Sequence, residues 1–117
     1  MTESEDAVIY RQDAATGTVT IMETAYAVSA LLIEDENSDH WTLHIQRVAP
    51  DRWVIRFGGR FWNFTTGDWG HRSLAGSVED MRADLDTALA QAAVLAPIVT
   101  VNGRTAAQYL AWREEHA

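Results

Sequence analysis

Four histidines, His40, His44, His71 and His116, are the side chains whose ordinary titration lies near neutral pH, so general-base or metal-ligand chemistry would start with them. Cysteine is absent, which removes disulfides, thiolate metal sites, Fe–S clusters and thiol nucleophiles together. Spacing then counts against the imidazoles. His40 and His44 fall on one face of an expected strand, about 13 Å apart, too far to share a metal ion. Asp68 and His71 bring a carboxylate near an imidazole but match no metal or hydrolase signature. His116 falls near the end of an expected helix, where the dipole favours a cation.

The remaining nucleophiles and acids also read as structural. Ser29, Ser73 and Ser77 lie outside any Gly-x-Ser-x-Gly turn, and Ser77 is placed to cap a helix. Glu79, Asp80 and Asp84 stand at the start of that helix, where solvated carboxylates have no reason to hold a proton. Gly58, Gly59, Gly67 and Gly70 are followed by no Gly-Lys-Ser/Thr, so they read as turn glycines rather than a phosphate cradle. The expectation is a chain with no catalytic set, no metal and no cofactor.

Two groups of residues remain that suit partner binding. In the stretch Phe64–Arg72, Trp69 stands between Gly67 and Gly70, with Asp68, His71 and Arg72 beside it. An indole there either plugs the edge of the core or anchors a partner. Alternation along the middle of the chain places His44, Arg56 and Phe61, with Val54 and Asn63, on the sheet face opposite the aromatic one. If nothing covers that face, it has the aromatic and arginine character of a contact surface; if it is covered, it is a second core layer.

The elements that must position these residues follow from periodicity. Ala7–Arg11 suits a short strand with a turn near Gly17. Thr20 and Glu23 form a capping-box pattern before Ile21, Met22, Ala25, Tyr26, Ser29, Leu32 and Ile33, which predicts a first helix. A strand over Val28–Asp35, paired across the turn Glu36–Asp39, is the competing reading. From Trp41 the alternation is that of a strand, with Trp41, Leu43, Ile45 and Arg47 on one face. Trp53, Ile55 and Phe57 repeat it after the turn at Pro50.

Matching apolar faces puts Ile45 opposite Ile55 and Leu43 opposite Phe57, with Val48–Arg52 as the loop. A two-residue turn at Gly58 and Gly59 then pairs Phe57 with Arg60, Ile55 with Trp62 and Trp53 with Phe64. After a loop over Thr65–Gly76, Ser77 caps a helix carrying Val78, Met81, Leu85, Ala88, Leu89, Ala92 and Leu95, which Pro97 ends. Ile98–Val101 suits a strand, and Thr105 with Gln108 caps a last helix.

The expected fold class is therefore α+β. It is an antiparallel sheet of three to five strands, in the order β-α-β-β-β-α-β-α, with helices packed on its aromatic face. The expected division is a flexible acidic N-terminus over 1–6 and a single domain over 7–117. In size, acidity and element order this is similar to small acidic chaperones of bacterial secretion systems, a likeness of architecture that no sequence motif carries.

Charge narrows the function. Seventeen acidic residues face nine arginines and no lysine, a net charge of −8, which disfavours phosphate backbones and favours a more basic partner. The Arg-rich, Ala-rich, Lys-free composition suits a GC-rich coding sequence, as in a high-GC bacterium or a phage. Met1–Asp6 is acidic and polar, and the longest apolar stretch, Ala25–Ile33, is broken by Ser29; a cytoplasmic, non-membrane protein is expected. The expected function is a non-enzymatic protein-binding module docking on a basic partner protein: an inhibitor, immunity protein, chaperone-like or mobile-element accessory protein. The rival is a small-ligand binder or minor enzyme, with Trp62, Tyr109, Trp112 and His71 lining a pocket between the sheet and the C-terminal helices. A homodimer through the exposed sheet face is a third possibility.

Overall fold

Strand pairing, not helix formation, claims the first third of the chain. The computed structural model describes residues 8–12, 19–32, 34–71 and 78–117, with side chains described from 22 onward except Val78. Strands β1 (Val8–Gln12) and β2 (Val19–Glu23) pair antiparallel in a sheet of their own. A five-stranded antiparallel sheet follows in sequential order: β3 (Ala25–Ser29), β4 (Thr42–Ala49), β5 (Arg52–Phe57), β6 (Arg60–Asn63) and β7 (Asp68–Gly70). Two helices complete an α+β fold, α1 (Leu85–Leu95) and α2 (Ala106–Glu115).

The expected first helix is thus replaced by β2 and β3. Tyr26 and Val28 alternate toward the core while Ala27 is exposed, and Tyr26 pairs with Ile45 and Val28 with Leu43. The same residues satisfy a helical stripe or a strand alternation, and the long partner β4 decides between them. The competing reading had the pairing right but placed the strand too late. The first strand, expected at Ala7–Arg11, runs Val8–Gln12; the N-terminus over 1–6 and the turn at Gly17 lie outside the described residues.

The central hairpins follow the apolar matching. Ile45 lies opposite Ile55 and Phe57 opposite Arg60. Only the turn at Pro50 and Asp51 separates β4 from β5, so the loop is shorter than expected, with a register shift between Arg47 and Ala49 and a positive φ at Asp51. At the next turn Gly58 alone takes a positive φ. The expected pairing of Trp53 with Phe64 does not form. Trp53 instead exchanges both backbone hydrogen bonds with Ala83, at 2.7 and 3.0 Å, and the Phe64 N–H donates to the Asp80 carbonyl.

Those contacts explain why the helix begins late. Val78–Met81 is a single 3₁₀ turn, and the chain stays extended through Ala83 to lie beside β5. Asp84 then caps α1, its carboxylate accepting from the Thr87 N–H and hydroxyl. Ser77, expected as the cap, lies outside the described residues. Ile98–Val101 makes no strand; Val101 and Arg104 close a tight turn whose two central residues, Asn102 and Gly103, both have positive φ. Thr105 and Gln108 form the expected capping box for α2.

The core lies on the aromatic face of the sheet. Leu43, Ile45 and Ile55 are fully buried, joined by Trp41, Trp53 and Trp62, and Ala88 and Ala92 of α1 are buried against this cluster. Small residues on α1 let the helix backbone approach the large rings. Full burial of one such aliphatic side chain is worth about 1.5–3 kcal/mol. Helix α2 attaches through Ala106 and through Tyr109, whose ring lies 4.6 Å from Trp41. The Tyr109 hydroxyl accepts from Asn37, and Arg113 pairs with Asp35 at 2.9 Å.

Candidate functional site

Register assembles the sheet face opposite the core. Ala27, His44, Arg56, Phe61 and Gly70 are successive cross-strand partners, so they form one row across all five strands. Three residues selected from the sequence, His44, Arg56 and Phe61, therefore stand side by side, each half-buried. Val54 and Asn63 on the same face are buried, so the face is closed at one end and partly open along the row. It is neither a bare contact surface nor a complete second core.

His44 and Arg56 open onto a cleft of about 390 Å³ where β4 begins and β5 ends. Asp39, His40 and Thr42 form one wall, Phe57 and Gly58 another, and Thr100 and Val101 before α2 a third. Burial, then the neighbouring Arg56 guanidinium, hold the His44 imidazole below the ordinary histidine range, with Asp39 acting in the opposite sense. Arg56 donates from Nη1 to the Gly58 carbonyl at 3.2 Å. His40 stands in the 3₁₀ turn Ser38–Trp41 that precedes β4, not on the strand as the spacing argument assumed. No three acidic or imidazole groups among the described residues approach metal-binding spacing.

The other selected residues lie elsewhere. Trp69 is opposite Trp62 in β6, on the core face, with ring centroids 5.1 Å from Trp62 and 6.0 Å from Phe57. It is half-buried and packs on the main core. Asp68, opposite Asn63, is exposed at the sheet edge and accepts from the Trp69 N–H; His71 is exposed beyond it. Arg72 lies outside the described residues. Of the selected residues that lie on strands, His44, Arg56, Phe61 and Asp68 share one face of the sheet and Trp69 stands on the other.

None of Trp62, His71, Tyr109 and Trp112, the residues expected to line the rival pocket, lines this cleft: Trp62 is buried in the core and Trp112 is exposed on α2. Trp112 instead belongs to a stacked group that the sequence reading did not single out as a surface. Its ring lies 4.6 Å from the His116 ring and 4.9 Å from the Arg104 guanidinium carbon, with Tyr109 one turn earlier. Trp112 remains 38% exposed and Leu110 36%. The spacing Tyr109, Trp112, His116, three and then four residues, carries the signal for such a stripe.

Comparison with protein-family models, with curated proteins and with solved structures finds no match.

Proposed function

We propose that this protein is a non-enzymatic binding module that docks on a more basic protein through the outer surface of α2, with Trp112 as its anchor. One observation carries the reading: a 38% exposed indole stands on a helix that ends in the exposed carboxylates Glu114 and Glu115. Stacking against His116 and Arg104 already restricts the Trp112 ring. Less rotamer freedom is then lost when a partner covers it.

Charge supports the same partner chemistry. Ion pairs among the described residues engage the carboxylates of Glu79 and Asp35, so most of the acidic excess is left to act on the surroundings. A net charge of −8 speeds encounter with a basic surface, and an aromatic anchor slows dissociation. Affinity capture with the tagged chain across a salt series tests the reading. The expected result is one stoichiometric basic protein, retained at low salt and released progressively as salt rises. Recovery of the bait alone at low salt would remove the proposal.

A further inference from the structure

Among the arginines with described side chains, Arg52, Arg82 and Arg113 meet carboxylates and Arg104 covers the Trp112 ring, while Arg47, Arg56 and Arg60 pair with no carboxylate among the described residues. Of these three, Arg56 lines a cleft. Half-buried on the cleft wall, it has no carboxylate within ion-pair distance among the described residues and donates to the carbonyl of its own turn. Directly across the strand pair, the His44 ring nitrogens have no hydrogen-bond partner among the described residues. A guanidinium and an imidazole therefore converge, with unused donor capacity, on a cleft of about 390 Å³ that also presents Thr42, Thr100, Phe57 and Val101.

We infer that this cleft binds a small organic carboxylate, held by Arg56 and His44 with its hydrocarbon part against Phe57 and Val101. The planar fork of a guanidinium matches a carboxylate's two oxygens. A phosphate dianion is the poorer fit, because Asp39 on the rim offsets part of the positive charge and half of the wall is apolar. Asp39 and His40 on the 3₁₀ turn and Arg56 on β5 are the charged and titratable groups around His44, while β3 contributes the neutral Ala27. Burial and Arg56 hold the imidazole toward its neutral form. A carboxylate entering the cleft reverses that balance, so His44 takes up a proton as the ligand binds. The inference is independent of the α2 docking surface, which lies on other residues.

The test is titration of the full chain with sodium benzoate, followed by the histidine ring resonances in NMR, at ionic strength matched with sodium chloride. The expected result is a saturable shift at His44 with His71 and His116 little moved. Binding should be about tenfold tighter near pH 5.5 than near pH 7.5. Arg56→Gln should weaken it about tenfold with an unchanged melting temperature, and His44→Gln should abolish the pH difference. A shift that chloride reproduces, or an Arg56→Gln protein that binds equally well, overturns the site. Stronger binding of inorganic phosphate than of benzoate overturns the carboxylate assignment.

Discussion

Trp69 and Trp112 show how a residue's role depends on what the fold sets beside it. Flanked by glycines, Trp69 reads equally as core plug or anchor, and pairing of β7 with β6 turns its ring onto Trp62 and Phe57. Trp69→Ala is accordingly expected to cost about 2 kcal/mol of stability in denaturant unfolding, less than a fully buried tryptophan because the ring is half-exposed. Trp112→Ala, on a surface helix, should leave the melting temperature within a few degrees of wild type. His44 carries a pH signature of its own. Its pKa is lowered in the folded state, so between that value and about 6.5 the unfolded chain binds the extra proton. The contribution is complete above that window and is lost as pH falls through it. His44→Gln should flatten the decline in melting temperature on acidification; identical wild-type and variant curves would show that His44 plays no part.

At the scale of elements, legibility followed the number of independent signals. The β4–β5 and β5–β6 hairpins were readable because alternation, a turn residue and face matching all demanded one register. The segment Val19–Ser29 carried a capping pattern and an apolar stripe that a helix and a strand share, so tertiary pairing decided it. The start of α1 was misread for a similar reason. Met81 and Leu85 continue the helical stripe, yet Ala83 is drawn into backbone pairing with Trp53. Caps give the clearest tests. Thr105→Ala removes half of the α2 capping box and should cost about 1 kcal/mol. Asp84→Ala should lower the melting temperature at neutral pH. Hydrogen bonds from Thr87 lower the Asp84 pKa, so its contribution is present above the ordinary aspartate value and fades as pH falls through the folded one. The gap between variant and wild type should therefore close in acid; a gap independent of pH would mean the carboxylate charge is not what caps the helix.

For the whole molecule, composition made the acidic charge legible and periodicity the sheet-plus-helix class, while which sheet face the helices cover depended on contacts far apart in sequence. Both helices pack on the aromatic face, which leaves the His44–Arg56–Phe61 row partly open and turns Trp112 outward. No helix among the described residues is long and apolar enough to cross a membrane. The decisive measurement on the docking surface is a paired capture, with wild type, Trp112→Ala and Trp69→Ala presented at equal folded amounts at low salt. The expected result is that wild type and Trp69→Ala retain the same basic partner and that Trp112→Ala loses it. Retention by Trp112→Ala with loss by Trp69→Ala would place the contact at the β7 edge and refute α2 as the docking surface.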